Sequence, residues 1–210
     1  MKNVLAFFGA FNPPTRAHLE LAGFARQETG ADGVVFIPSR TDYIRNDQGK
    51  DSAFSNTARL EMLNTLAESR PWMRVCGWEL QQEAQPRSYT TLCHLRDEGY
   101  APSLLLGSDN LRQLSSGWKY VPEIAREFGI VCLARNTDSC RSIVREDPLL
   151  SSLSDCITVL ETPDEWKQVS SSAVREALRQ PQDPEKLERM IPGEIIHLIC
   201  KTPDQRRNNP

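Results

Sequence analysis

The stretch Phe7-Phe8-Gly9-Ala10-Phe11-Asn12-Pro13-Pro14-Thr15-Arg16-Ala17-His18 decides how the rest of this chain is read. The apolar run from Val4 to Phe8 has the character of a short buried strand. Gly9 ends it, and Asn12-Pro13-Pro14 cannot extend it, because proline has no N–H for a sheet ladder. Thr15 is then a suitable N-cap for a helix whose apolar residues Leu19, Leu21, Ala22 and Ala25 recur at roughly helical spacing. This makes strand, glycine turn and helix, with His18 in the helix's first turn. A helix N-terminus presents unpaired N–H groups and partial positive charge, so it draws phosphate, and a histidine there adds one more donor. The bland alternative is an ordinary strand–turn–helix with a surface histidine. Spacing alone does not separate the two.

Working outward, strands and helices alternate. Further apolar strands are expected at Val34–Ile37, from Met73 through Cys76 towards Leu80, at Leu104–Leu106, at Gly129–Arg135 and at Cys156–Leu160. Helices are expected from Thr15 to about Glu28, from Thr57 to Glu68 with Leu60, Leu63 and Leu66 repeating, and from Tyr89 to Asp97. Shorter ones follow at Asn110–Leu114, Val121–Glu127, Ser171–Leu178, Pro184–Met190 and Pro192–Cys200. Residues 39–55 are polar and aperiodic and read as a long loop. Uniformly apolar strands suit a sheet covered on both faces. The expected fold is therefore α/β and Rossmann-like: a doubly wound, mainly parallel sheet with helices on both faces. Ligands in such sheets sit beyond the carboxyl ends of the strands, which directs attention to Gly9–His18, Pro38–Arg45, Gly107–Asp109 and Ala134-Arg135.

At 210 residues the chain fits one domain, expected over 1–200, with a polar C-terminal tail at 201–210 expected to be disordered. A net charge of −3 argues against a dedicated nucleic-acid binder. Cys76, Cys93, Cys132, Cys140, Cys156 and Cys200 are widely spaced, with no Cys-x-x-Cys pair. They read as small buried hydrophobes in a reducing compartment rather than a disulfide or zinc framework. No apolar run approaches the ~20 residues that span a bilayer. The apolar start is too short for a signal peptide. A cytoplasmic protein without membrane or nucleic-acid partners is expected, and a homo-oligomer stays open.

A second motif lies late in the chain, at Val169-Ser170-Ser171-Ser172-Ala173-Val174-Arg175. Serines opening a helix supply hydroxyls and main-chain donors at the positive end of the dipole. Ser171 and Arg175 are four apart, so they share a helix face and can grip one anion. The plain alternative is a serine cap followed by a surface arginine.

Together these strings resemble a known pattern. Gly-Ala-Phe-Asn-Pro-Pro-Thr-x-x-His at Gly9–His18 is similar to the Gly-x-Phe-(Asp/Asn)-Pro-x-(His/Thr)-x-x-His signature of the nucleotidyltransferase superfamily. It looks most like the nicotinate/nicotinamide mononucleotide adenylyltransferases, some of which carry threonine at the position of Thr15. Ser170-Ser171-Ser172-x-x-Arg175 resembles the superfamily's Ser-Ser-Thr-x-Ile-Arg, which holds the triphosphate tail. The two lie about 150 residues apart and in the family's order, which is more specific than either alone.

The resemblance implies an adenylyltransferase that moves AMP from ATP to nicotinate or nicotinamide mononucleotide and releases pyrophosphate, in NAD biosynthesis. Its implied catalytic residues are His18 and Arg175. Gly9, Phe11, Asn12, Thr15, Gly107, Asp109, Ser170 and Ser171 join them in binding ATP, with Asp109 on the ribose hydroxyls. Tyr89, Thr90, Trp118, Tyr120 and Arg135 are implied on the mononucleotide, with the Trp118 indole stacked on the pyridine ring. Mg²⁺ is implied as the partner of ATP, with no metal site of the protein's own. The chain departs from the pattern after Tyr89-Thr90, where the usual Ile-Asp-Thr-Leu is shortened to Thr91-Leu92. It departs again at Ser39-Arg40-Thr41-Asp42-Tyr43-Ile44-Arg45, which replaces a basic Pro-Pro-His-Lys. Both departures fall on the acceptor side. Another phosphate acceptor such as phosphopantetheine, or a non-catalytic nucleotide binder, remains the alternative.

Overall fold

The computed structural model describes residues 1–46, 53–134, 140–163, 166, 169–179 and 184–201. Its strands are β1 (Lys2–Gly9), β2 (Gly33–Pro38), β3 (Met73–Val75), β4 (Tyr100–Gly107), β5 (Ile130–Ala134) and β6 (Ile157–Glu161). Among the described residues these form one six-stranded sheet in the order β3-β2-β1-β4-β5-β6. The order reverses between β1 and β4, the arrangement of a doubly wound fold. β1 and β4 run parallel with Phe7 opposite Leu105, β4 and β5 with Leu106 opposite Cys132, and β5 and β6 with Cys132 opposite Val159. Every residue of β2 and of β5 is buried, the reason those strands are apolar without alternation.

The chain divides into two compact units. The first comprises Met1–Phe8, Leu21–Val35 and Pro86–Lys167. Within it α4 (Ser88–Asp97) and α6 (Val121–Phe128) pack on β4, and α5 (Ser108–Gly117) on β4 and β5. α6 buries Val121, Ile124, Ala125 and Phe128, one helical stripe, and stops at Gly129 with φ of 74°. α7 (Cys140–Glu146) leads to Asp147, whose carboxylate caps α8 (Pro148–Ser151) by accepting from Leu149 N and Leu150 N.

The second unit comprises Gly9–Glu20, Phe36–Gln85 and Gln168–Pro210. It holds α2 (Thr41–Asn46), α3 (Asn56–Glu68), α9 (Ser171–Arg179), α10 (Pro184–Met190) and α11 (Gly193–Lys201). α3 starts on Ser55, whose hydroxyl accepts from Ala58 N at 3.1 Å, and packs on β3 and α11. α1 (Arg16–Thr29) begins in this unit and ends in the first.

Four sequence expectations are corrected. Residues 41–46 of the expected loop form α2, because Ile44 has a fully buried place and Asn56 Oδ1 takes the Thr41 N–H at 2.8 Å. β3 stops at Val75, and after Gly77 the chain turns through a short 3₁₀ segment at Trp78–Gln81 that buries Glu79. The buried stripe of α3 is Arg59, Met62, Leu63 and Leu66, with Leu60 beside it against Gly77. Cys132 and Cys140 are fully buried, but Cys200 is exposed at the end of α11.

At the end of β1, the Phe11 ring lies over Gly9. A Cβ built on Gly9 would stand 2.9 Å from Phe11 Cζ. Phe11 cannot retreat: it is 1% exposed and packs against Phe36 with 5.3 Å between ring centroids. Gly9→Ala is therefore expected to destabilise the protein by ~1–3 kcal/mol, the usual cost of overpacking. Thermal melting checks it, and an unchanged melting temperature would mean the ring is not fixed there.

Candidate active site

The turn between β1 and α1 is tied down by its carbonyl oxygens. Within the second unit, Ser39 N–H donates to Gly9 O at 2.9 Å, and Arg59 Nη1 to Ala10 O at 2.7 Å. Arg175 Nη1 donates to Asn12 O, and the Ser171 hydroxyl to Pro13 O, both at 2.8 Å. Thr15 O takes the first helical bond from His18 N at 3.1 Å. Carbonyls must find donors when they leave water, and here the protein supplies them. With the carbonyls of Gly9, Ala10, Asn12, Pro13 and Thr15 engaged, those oxygens do not stand as bare acceptors toward an anion.

The side chains of this turn serve its shape. Asn12 is fully buried, and its Oδ1 accepts from Phe54 N at 2.9 Å. Phe11 takes the left-handed conformation, φ 44°, which directs its ring into the core. The Asn12–Pro13 peptide is cis. Thr15 is also fully buried, and its main-chain N–H donates to His18 Nδ1 at 3.0 Å, with its hydroxyl 2.7 Å from the same nitrogen. A main-chain N–H can only donate. Nδ1 is therefore an acceptor, and the neutral imidazole carries its proton on Nε2. The Phe11 ring meets the imidazole edge-on, 5.2 Å between centroids, and fixes its plane.

The second motif reaches the same turn. Ser170 caps α9, its hydroxyl accepting from Ala173 N at 3.1 Å. Ser171 and Arg175, on one face, both bond to carbonyls of the turn, and Arg175 Nη2 also donates to Ser172 Oγ at 3.0 Å. Arg16, at the start of α1, donates through Nε to Glu188 O and Ile191 O, which fastens the end of α10. The structure thus brings Gly9, Phe11, Asn12, Thr15, His18, Ser170, Ser171 and Arg175 into one neighbourhood.

Arg59 is the residue that sequence reasoning missed. Its whole side chain is buried, and burial pushes its pKa down to about 10, leaving it charged at neutral pH. One signal could have found it: a charged residue standing three, four and seven positions before Met62, Leu63 and Leu66, on the apolar stripe itself.

The remaining expected site residues belong to the first unit. Gly107 closes β4 and is the N-cap residue of α5 without a side-chain cap bond. Asp109, in the first turn of α5, is exposed, and its carboxylate makes no hydrogen bond or ion pair among the described residues, so it is not spent on capping. Trp118 ends α5, half-buried. Tyr120 precedes α6 with φ of 64° and is 48% exposed. The Tyr89 ring lies 5.3 Å from that of Tyr120 and 5.9 Å from that of Phe128. Its hydroxyl donates to Glu127 Oε1 at 2.9 Å, which pushes the phenol up to about 12, while Arg96 holds the other Glu127 oxygen at 3.0 Å. Thr90 is exposed on α4. Arg135 lies outside the described residues.

In the segment that replaces the basic strand end, one of the two arginines is paired within the segment, and Arg45 Nη2 donates to Ala53 O at 3.2 Å. Arg40 pairs with Asp42 at 2.8 Å, and that guanidinium holds the Asp42 carboxyl below the usual carboxylate range. Among the described residues no group of three or more His, Cys, Asp or Glu is placed to hold a metal ion. None of their helices is long and apolar enough to cross a membrane.

Comparison with known proteins gives this geometry its context. The profile of the cytidylyltransferase-like family matches residues 6–177. The chain is 30% identical over 194 residues, 91% of each chain, to a probable nicotinate-nucleotide adenylyltransferase of Dehalococcoides mccartyi. It is 27% identical to the nicotinamide/nicotinic acid mononucleotide adenylyltransferase of Oryza sativa, covering 84% of this chain and 76% of that one. Its fold is similar to that of the Plasmodium falciparum nicotinic acid mononucleotide adenylyltransferase complexed with NaAD, with a TM-score of 0.76 over 96% of both chains at 19% identity. The chain belongs to the cytidylyltransferase-like family, and within it to the nicotinate-nucleotide adenylyltransferases.

Proposed function

We propose that this chain transfers AMP from ATP to nicotinate or nicotinamide mononucleotide, releasing pyrophosphate and forming the dinucleotide. The observation that carries this reading is the turn at 9–15, whose Gly9, Ala10, Asn12, Pro13 and Thr15 carbonyls are engaged and beside which His18, Arg175 and the α1 N-terminus supply donors and positive charge. The relatives' names supply the acceptor.

In this reading the mononucleotide's 5′-phosphate oxygen attacks the α-phosphorus of ATP in line. The new P–O bond forms as the bond to the bridging oxygen breaks, and pyrophosphate leaves with that electron pair. The attacking oxygen is already anionic, so neither a protein nucleophile nor a general base is required. Catalysis is then positioning and charge stabilisation. His18 Nε2–H donates to phosphate oxygens as they gain charge. Arg175 and the Ser170-Ser171 amides and hydroxyls hold the tail. Asp109 accepts from the ribose hydroxyls and Trp118 stacks on the pyridine, with Tyr89, Thr90, Tyr120 and Arg135 on the same substrate. Mg²⁺, which binds phosphate oxygens and keeps much of its water, would arrive with ATP and neutralise the triphosphate.

Pyrophosphate release from ATP, measured against a panel of phosphate acceptors, tests the proposal. The pyridine mononucleotides should support turnover and phosphopantetheine should not; activity with phosphopantetheine alone would overturn the acceptor assignment. His18→Ala should lower turnover by roughly 10²–10³-fold, the scale of one preorganised donor, with a smaller effect on ATP binding. A folded variant with normal turnover would remove His18 from the chemistry. Trp118→Ala should raise the mononucleotide KM by the equivalent of ~1–2 kcal/mol of stacking and leave the ATP KM nearly unchanged. Equal damage to both substrates would mark Trp118 as a packing residue.

A further inference from the structure

Arg59 is a cation buried in the second unit with no carboxylate paired to it among the described residues. All its acceptors are neutral. Nε donates to Phe54 O at 3.2 Å and Nη1 to Ala10 O at 2.7 Å. Nη2 donates to Ser39 O at 2.6 Å, Asn56 Oδ1 at 2.9 Å and Thr41 Oγ1 at 3.1 Å. One guanidinium thus joins the turn after β1, the segment after β2, the start of α2 and the residues that lead into α3.

Stability alone does not account for it. Its neighbours on the stripe are Met62, Leu63 and Leu66, and a buried charge is often replaced by a well-packed apolar side chain without loss. What an apolar residue cannot do is hold several oxygens at fixed positions, the property of a planar five-donor fork. Two of those oxygens bear directly on the phosphate turn. Ala10 O belongs to it. Phe54, held through its carbonyl by Arg59, uses its own N–H to grip Asn12 Oδ1 at 2.9 Å. Asn12 O in turn receives Arg175. One buried side chain therefore fixes the turn at residue 10 directly and at residue 12 through Phe54, and residue 12 seats the arginine of the second motif.

We propose that Arg59 is a positioning residue for adenylyl transfer: it sets the Ala10–Asn12 turn, and through Asn12 the seat of Arg175, in the geometry that receives the triphosphate. This rests on the reading of the turn as the ATP site. It assigns a role to a residue that touches no substrate and lies outside both sequence motifs.

Arg59→Lys tests it, because lysine keeps the charge and much of the volume but cannot fork. Wild type and variant are compared in melting temperature, turnover and the KM of each substrate. The expected result is a folded variant with turnover lowered by about 10–10²-fold, the scale of a small misplacement of reacting groups. Its ATP KM should rise, while the mononucleotide KM stays within about twofold. A folded Arg59→Lys with wild-type turnover and ATP KM would overturn the proposal. So would a loss of rate that tracks the unfolded fraction and vanishes on cooling, with both KM values unchanged. Should Arg59→Lys fail to fold, Thr41→Val removes one of the fork's acceptors at similar volume and decides the matter. It should raise the ATP KM several-fold without changing that of the mononucleotide, and an unchanged ATP KM would overturn the proposal. Failure of the functional reading is distinguishable, since wild type would then release no pyrophosphate with any acceptor.

Discussion

A main-chain turn can receive an anion only if its own carbonyl oxygens are kept from facing it. In this protein the carbonyls of Gly9, Ala10, Asn12 and Pro13 are engaged by Ser39 N, Arg59, Arg175 and Ser171. These donors come from the end of β2, from α3 and from α9, segments far apart in the chain. The shape of the turn is therefore a property of the folded second unit rather than of the Gly9–His18 string. The string supplies a turn that can bend this way, and the rest of the unit holds it bent.

The same arrangement settles where charge goes. The chain is mildly acidic overall, yet two arginines, Arg59 and Arg175, direct their guanidinium groups at neutral oxygens of one turn. Neither of these contacts cancels the charge as a carboxylate would. Both contacts place a guanidinium on the turn that leads into α1, whose N-terminus carries partial positive charge. In the proposed function His18 serves as a neutral donor. The Thr15 N–H occupies Nδ1, so Nε2 carries the hydrogen, and the imidazole can donate without being protonated.

Much of the fold was legible because parallel strands covered by helices must be apolar throughout. Val34–Ile37 and Leu104–Leu106 are such runs, and both are buried strands. The turn before α1 and the serine cap of α9 were legible as well, through glycine, proline and serine whose backbone chemistry is local. Arg59 was not. Its partners lie at residues 10, 39, 41, 54 and 56, and only the folded chain gathers those oxygens. Helix α2 escaped for a related reason, since six residues carry no helical period and the helix rests on tertiary anchors at Ile44 and Asn56. Tyr89 was legible as a residue of interest, but its bond to Glu127 on α6 was not, because that pair is set by helix packing.

The central claim, that the 9–15 turn with its tied carbonyls is the anion site, can be tested without any turnover. Amide and imidazole ¹⁵N shifts of the labelled protein would be followed while inorganic tripolyphosphate and Mg²⁺ are added. The account predicts that the largest changes fall on the amides of residues 10–12, 15–19 and 170–175. The His18 Nε2–H should shift as a hydrogen-bond donor while Nδ1 keeps the signature of an unprotonated acceptor. Saturable binding that leaves those amides and the His18 ring unmoved, with shifts elsewhere in the chain, would contradict it.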